Sequence, residues 1–192
     1  MEIILALEIL AVFFGLLFLI LMIFERIECW IFGIIGSLLS IYLFVHLKLY
    51  SEAILYIYYV FIGFYGYLSW SKKKNGNALK VSNISVKSFL YGLSISTLLS
   101  FILGYFFQKF TDATQTYYDA FTTIFSFYAS YLEAKKVLFG WLLWIVVNGA
   151  TIILYQSKSL DFYSGLTIFY FLMSFVGYFK WKKKMATYHD IA

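Results

Sequence analysis

Residues 3–24 read IILALEILAVFFGLLFLILMIF, and Glu8 is the one charged residue among them. At 1.5 Å per residue, a helix of this length spans about 33 Å, which is enough to cross a hydrocarbon core of about 30 Å. The stretch therefore predicts a transmembrane helix. Because no basic residue precedes this long apolar run, we expect a membrane span and not a cleaved secretion signal.

The composition extends this conclusion to the whole chain. Of 192 residues, 62% are hydrophobic and 13% are charged, and the mean hydropathy is +0.82. Soluble domains are about half apolar and a quarter charged, so this chain has too little polar surface to cover a water-soluble globule. Soluble enzymes, nucleic-acid-binding proteins and disordered chains are excluded. The net charge of +5 is better explained by loops that face an anionic lipid leaflet.

Apolar runs of similar length recur along the rest of the chain, separated by short polar segments. Such long continuous runs are typical of membrane helices and not of the alternating strands of a membrane barrel. We therefore predict an all-α integral membrane fold with seven transmembrane helices. The runs are residues 3–24, 30–46, 52–70, 88–108, 117–134, 138–156 and 162–180.

The distribution of lysine and arginine predicts the orientation. Cytoplasmic loops carry an excess of these residues, and an external N-terminus places 12 of them in inner loops and 3 in outer loops. The N-terminus is therefore predicted outside and the C-terminus in the cytoplasm. The inner residues are Arg26, Lys72, Lys73, Lys74, Lys80, Lys87, Lys135, Lys136, Lys180, Lys182, Lys183 and Lys184, and the outer ones are Lys48, Lys109 and Lys158.

The residues that usually carry catalysis or bind metals are scarce. Cys29 is the single cysteine, which excludes an intrachain disulfide and a thiolate metal cage. His46 and His189 lie in no zinc-binding or catalytic-triad spacing. We therefore expect neither an enzyme nor a metal site, and no cofactor.

An internal repeat appears when the chain is aligned with itself at an offset of 111 residues. Between residues 30 and 73, 14 of 44 positions are then identical. The alignment predicts two parallel three-helix repeats, helices 1–3 and 5–7, joined by helix 4. The matched landmarks are Trp30 with Trp141, Gly66 with Gly177, Tyr67 with Tyr178, and Trp70 with Trp181.

This 3+1+3 pseudo-repeat is an architecture of the SWEET-like kind. It predicts a first repeat over residues 1–74, a linker with helix 4 over 75–116, and a second repeat with a short basic cytoplasmic tail over 117–192. Parallel repeats are typical of transporters, which hold the solute between the repeats near the middle of the membrane.

Helix 6 carries the most informative polar stripe, formed by Trp141, Trp144, Asn148, Thr151 and Tyr155. Their spacings of 3, 4, 3 and 4 place all five on one helix face. A buried amide is costly unless it has a partner, and an indole face attracts a cationic ring by about 1–2 kcal/mol. We therefore predict a solute site here. Further candidate residues on other helices are Ser37, Tyr56, Tyr59, Ser126, Ser130 and Tyr170.

Other small and aromatic residues suit packing or anchoring. We expect the glycines of helices 2, 3 and 7 to be helix-packing surfaces. Trp70 and Trp181 adjoin lysines at the inner boundary, so we expect them to be interfacial anchors. The glycines concerned are Gly33, Gly63, Gly66 and Gly177.

The chain resembles the PnuC family of bacterial nicotinamide riboside transporters over nearly its whole length. The most specific element is the W-x-x-W-x-x-x-N pattern of Trp141, Trp144 and Asn148, which follows the basic pair Lys135-Lys136. Weaker elements are Glu8 to Gly15, Cys29-Trp30, Phe32-Gly33, Leu49-Tyr50, Tyr65-Gly66-Tyr67 to Trp70, Asp119, Ser126, Ala129 and Leu132.

The resemblance implies a function and a site. It implies a multi-pass protein of the bacterial cytoplasmic (inner) membrane, a homotrimer, and facilitated diffusion of the intact vitamin. Phosphorylation of the solute in the cytosol would make uptake effectively one-way. By this likeness, Trp141, Trp144 and Asn148 would hold the nicotinamide and the ribose.

Two alternatives remain open. The family often has Gln at the position of Tyr56 and Glu-Asn in place of Phe139-Gly140, so thiamine or another vitamin or nucleoside is an alternative solute. A non-transporting membrane subunit is an alternative of another class. Sugar transporters of the SWEET kind use Pro-Gln hinges, which a chain without proline lacks.

Overall fold

The computed structural model describes residues 2–46, 50–72, 78–110, 115–157 and 161–190. Within them the chain forms seven α-helices, which confirms the prediction of an all-α fold with seven helices. The helices are α1 (Glu2–Ile23), α2 (Cys29–His46), α3 (Tyr50–Ser71), α4 (Val86–Phe110), α5 (Thr116–Ala134), α6 (Phe139–Ser157) and α7 (Asp161–Asp190). The predicted boundary at 74/75 and the basic residues Lys48, Lys73, Lys74 and Lys158 lie outside the described residues.

Four helices of the described part are long and apolar enough to cross a membrane. They comprise Ile4–Ile23, Cys29–His46, Ala53–Ser71 and Val86–Phe110. The apolar part of α6 is shorter, at Phe139–Leu154.

The chain divides into two compact units, Met1–Lys80 and Val81–Ala192. In the first unit, α2 packs against both α1 and α3. Glycines allow this approach: a Cβ on Gly33 would lie 2.7 Å from the ring of Phe18, and one on Gly63 would lie 2.6 Å from Ile34. The prediction that these glycines are packing surfaces is confirmed.

In the second unit, α6 packs against α5 and α7, and α4 packs against α5. The segment before α4 is tied to the turn between α5 and α6. The backbone N–H of Ser82 donates to the carbonyl of Lys136 at 3.0 Å, and the N–H of Leu138 donates to the carbonyl of Ser82 at 2.9 Å. The apolar core beside this turn consists of Phe125, Ala129, Leu132, Val137, Leu143 and Val147.

A tryptophan pair joins α6 to α7 in the second unit. The rings of Trp141 and Trp181 are perpendicular, with 5.4 Å between centroids and 87° between planes. Both side chains are fully buried. A Cβ on Gly177 would lie 2.5 Å from the Trp141 ring, so only glycine leaves room for that ring.

The first unit contains a matching pair between α2 and α3. The rings of Trp30 and Trp70 are 5.5 Å apart at 88°, and a Cβ on Gly66 would lie 2.4 Å from Trp30. The expectation that Trp70 and Trp181 are interfacial anchors is wrong, because both rings are buried against another indole. The adjacent lysines suggested an interface that the side-chain packing does not provide.

Helices α1 and α5 also end in the same way. Glu25 and Lys136 adopt left-handed backbone conformations, with φ of 56° and 52°. After each, a backbone N–H donates to a carbonyl five residues earlier, which is the Schellman arrangement. These bonds run from Arg26 to Leu21 at 2.9 Å and from Val137 to Leu132 at 2.8 Å.

The last helix is longer than its predicted span. The apolar run ends near residue 180, whereas α7 continues to Asp190. The basic residues predicted as a cytoplasmic tail therefore continue the helix. The side chains of Lys182, Lys183 and Lys184 on this extension are exposed.

Candidate functional site

Asn148 on α6 has a polar partner on α7. Its side-chain amide donates to the hydroxyl of Ser174 at 3.1 Å, and that hydroxyl donates to the carbonyl of Tyr170 at 2.8 Å. Asn148 is 9% exposed and Ser174 is 2% exposed. The partner offsets the cost of burying an amide, and it orients the amide so that its carbonyl oxygen stays available as an acceptor.

Trp144, one turn earlier on α6, has a polar partner on α5. Its indole N–H donates to the carboxyl of Glu133. Glu133 is 3% exposed, whereas Trp144 is half-buried and packs against the core of the second unit. The N–H edge of the indole is therefore engaged within the protein.

A close approach of two helix ends brings these side chains together. A Cβ on Gly140, in the first turn of α6, would lie 3.3 Å from the carbonyl oxygen of Ala129 and 3.3 Å from Cγ of Glu133. The glycine thus lets the start of α6 lie against the end of α5. The short turn after the Schellman cap at Lys136 makes this contact possible.

Trp141 lies deeper than Trp144. It is fully buried against Trp181 and Gly177. Among the described residues, no acceptor lies within hydrogen-bond distance of its indole N–H. The two tryptophans of the motif therefore differ: one N–H is bound within the chain, and the other has no acceptor in the described part.

The predicted serine and threonine residues of the second unit bond to their own helices. Ser126 donates to the carbonyl of Thr122 at 2.7 Å, Ser130 to that of Ser126 at 2.8 Å, and Thr151 to that of Val147 at 2.9 Å. This is the usual pattern for Ser and Thr inside helices. Each oxygen retains the capacity to accept a hydrogen bond.

The predicted residues of the first unit lie on α2 and α3. Ser37 is buried on α2. The Tyr56 ring lies 5.3 Å from that of Phe44 and 5.5 Å from that of Tyr59, so Tyr56 is part of an aromatic cluster.

Two residues missing from the predicted set, Glu133 and Ser174, are the partners that position it. Each had a signal in the sequence. Glu133 continues the α5 stripe of Ser126 and Ser130, and Ser174 follows Tyr170 by one helical turn. The stripes were recognised from spacing, but spacing alone does not show which neighbouring helix a stripe contacts.

The arrangement suits reversible binding of a small ringed solute. It combines an aromatic face, an oriented amide and a buried carboxyl. The described residues contain no group of three His, Cys, Asp or Glu side chains that could hold a metal ion.

Comparison with known proteins places this chain in a family. The family model described as "Nicotinamide mononucleotide transporter" matches residues 5–183. Two proteins named nicotinamide riboside transporter PnuC, from Escherichia coli (strain K12) and Shigella flexneri, are each 20% identical to the chain, with 79% of this chain and 73% of theirs covered. The crystal structure of the vitamin B3 transporter PnuC has the same fold, with a TM-score of 0.77 at 24% identity, over 94% of this chain and 82% of that one.

The match of the family model covers nearly the whole chain, and the apolar helices agree with it. The chain is a multi-pass membrane protein and a transporter. It belongs to the PnuC family, the nicotinamide mononucleotide transporter family, as the W-x-x-W-x-x-x-N motif of α6 predicted.

Proposed function

We propose that this chain carries nicotinamide riboside across the membrane by facilitated diffusion. The observation that carries the proposal is the α6 face, on which Trp144 and Asn148 lie one turn apart and are each held by a buried polar partner. The names of the curated relatives point to the same solute. Transport alters no bond of the solute, so we propose no enzymatic activity.

The chemistry of the two residues fits the two parts of this solute. The nicotinamide ring of the riboside is a flat cation, and the face of Trp144 offers the quadrupole that attracts such a ring. The carbonyl oxygen of Asn148 accepts from an amide or a ribose hydroxyl. Trp141 backs the site, and its N–H is a further donor.

The remaining predicted contacts stay predictions. In the second unit these are Thr151, Ser126, Ser130 and Tyr170, whose oxygen atoms could accept from ribose hydroxyls. In the first unit they are Ser37, Tyr56 and Tyr59.

We further propose that the fold is a 3+1+3 parallel repeat of the SWEET-like kind. The matching tryptophan pairs, with perpendicular rings at 5.5 and 5.4 Å, support a duplication. So do the equivalent glycines beneath them and the two Schellman caps at residues 111 positions apart. Such agreement in side-chain detail is unexpected for unrelated helices.

The cellular setting is proposed from the basic residues and the family. We propose a homotrimer in the bacterial cytoplasmic membrane with the N-terminus outside. The exposed lysines at the end of α7 suit the cytoplasmic face. Phosphorylation of the solute in the cytosol would then trap it without ion coupling.

Uptake of radiolabelled nicotinamide riboside into proteoliposomes tests the function. We expect Trp144→Ala and Asn148→Ala to slow uptake by about tenfold or more, since each removes a contact of about 1–2 kcal/mol. Val146→Ala is the matched control, because Val146 is an exposed α6 residue. If both site variants take up the solute at the control rate, the proposed site is wrong.

Thiamine is the second candidate solute, because it is also a flat cation and aromatic stacking attracts both. Competition distinguishes the two: unlabelled nicotinamide riboside should inhibit labelled uptake at lower concentration than thiamine. The reverse order would make thiamine the solute. Trapping is tested by enclosing a riboside kinase and ATP, which should raise the final accumulation without changing the initial rate.

A further inference from the structure

Glu133 is a buried carboxyl of the second unit. It is 3% exposed at the last turn of α5. A buried ionisable group is costly unless it is paired or hydrogen-bonded. A carboxyl that only filled space could be replaced by an apolar side chain at lower cost.

Comparison of the two units shows that packing does not require this carboxyl. At the 111-residue offset, Glu133 corresponds to Met22 and Trp144 corresponds to Gly33. Met22 is fully buried, and the ring of Phe18 occupies the space beside Gly33. The same helix–helix junction is therefore built from apolar groups in the first unit.

The pair of Glu133 and Trp144 is thus specific to the unit that carries the W-x-x-W-x-x-x-N motif. Within that motif, the N–H of Trp141 has no acceptor among the described residues, whereas that of Trp144 is bound by Glu133. An acceptor at the N–H edge restricts rotation of the indole and sets the direction in which its faces point.

We propose that Glu133 is a positioning residue that orients the Trp144 indole for stacking against the solute ring. It acts through the indole N–H and does not touch the solute. The inference rests on the proposed function, because it assigns Trp144 to the solute site.

This role predicts a specific pattern in a double-mutant cycle. Glu133→Ala removes the acceptor, and Trp144→Phe keeps an aromatic face but removes the donor. We expect each change to weaken the binding of nicotinamide riboside about tenfold by titration calorimetry on the purified full-length protein. The double variant should be no weaker than the weaker single variant, because both changes remove the same hydrogen bond.

The conservative variant separates positioning from charge. The side-chain oxygen of Gln also accepts a hydrogen bond, so Glu133→Gln should bind within about threefold of the unaltered protein. Gln behaving like Ala would overturn the proposal, and so would additive effects in the cycle or unaltered binding by Glu133→Ala.

A second readout needs no solute. The fluorescence of Trp144 is obtained as the difference between the unaltered protein and Trp144→Phe, measured in each Glu133 background. Its emission maximum should shift in Glu133→Ala and not in Glu133→Gln. No shift in Glu133→Ala would overturn the proposal. Size-exclusion chromatography identifies variants that fail to fold. If Glu133→Ala fails to fold, Glu133→Gln is compared with the unaltered protein.

The two readouts separate this inference from the proposed function. Suppose that the unaltered protein binds no nicotinamide riboside but the Trp144 emission shifts in Glu133→Ala. This result would refute nicotinamide riboside as the solute and retain the link between Glu133 and Trp144. Binding by the unaltered protein with an additive cycle would refute the positioning role alone.

Discussion

The Trp141 ring stands perpendicular to the Trp181 ring, with 5.4 Å between their centroids. Edge-to-face contacts of this kind contribute about 0.5–1.5 kcal/mol beyond the area they bury. The arrangement depends on Gly177, which leaves the space that the Trp141 ring occupies. One buried contact therefore sets how close α6 and α7 lie behind the motif.

Replacement of Gly177 by alanine should destabilise the second unit. The new Cβ would lie 2.5 Å from the Trp141 ring, and relief of such overpacking costs about 1–3 kcal/mol. We expect a lower midpoint in thermal unfolding in detergent. Gly165→Ala is the control on the same helix, because a Cβ there meets nothing within 4 Å. Equal midpoints for the two variants would contradict the packing argument.

Loss of the Ser174 hydroxyl should impair the site through Asn148. Ser174→Ala leaves the buried amide without its 3.1 Å partner, and hydrogen bonds between membrane helices are worth about 0.6 kcal/mol on average, up to about 2. We expect binding to weaken severalfold, less than in Asn148→Ala. Ser94→Ala is the control, since Ser94 is exposed and bonds only to its own helix. If Ser174→Ala binds the solute as tightly as Ser94→Ala in titration calorimetry, the coupling of Ser174 to the site through Asn148 is refuted.

The segment before α4 should be sensitive to proline. Ser82→Pro removes the backbone N–H that donates to Lys136 at 3.0 Å, and a lost hydrogen bond costs about 0.5–1.5 kcal/mol. We expect faster amide exchange at the turn between α5 and α6. Ser82→Ala keeps both backbone bonds and should match the unaltered protein. Rapid exchange in both variants would show that the side chain, and not the backbone, matters.

The loop between α1 and α2 predicts a pH effect. The hydrogen bond and charge of Arg26, 3.1 Å from Glu28, hold the pKa of that carboxyl below its ordinary value. The stabilisation is therefore present above the unfolded pKa and is lost as the pH falls through the lower folded pKa. Both side chains are exposed, so screening by solvent keeps the effect small.

Removal of the cation tests this effect. In Arg26→Gln the pKa of Glu28 should rise toward its ordinary value, as measured by carbon NMR of labelled glutamate. Arg26→Lys retains the positive charge and should keep the pKa low. A pKa that stays low in Arg26→Gln would assign the shift to the backbone.

The motif of α6 could be recognised from the sequence because helical spacing determines which residues share a face. The partners of Trp144 and Asn148 could not. Ser174 lies 26 residues beyond Asn148, and no pattern along the chain states how α7 is rotated about its axis. Trp181 shows the same limit, because adjacent lysines predicted an interfacial ring that the packing of α6 buries.

The seven helices and the two sets of matching landmarks follow from apolar run length and periodicity, which are local properties of the chain. The packing of the helices adds that Glu133 holds one tryptophan of the motif while the N–H of the other meets no acceptor among the described residues. No local pattern predicts this difference, because a hydrogen bond between helices depends on their rotation and separation. Those are set by close contacts such as that at Gly140 and not by composition.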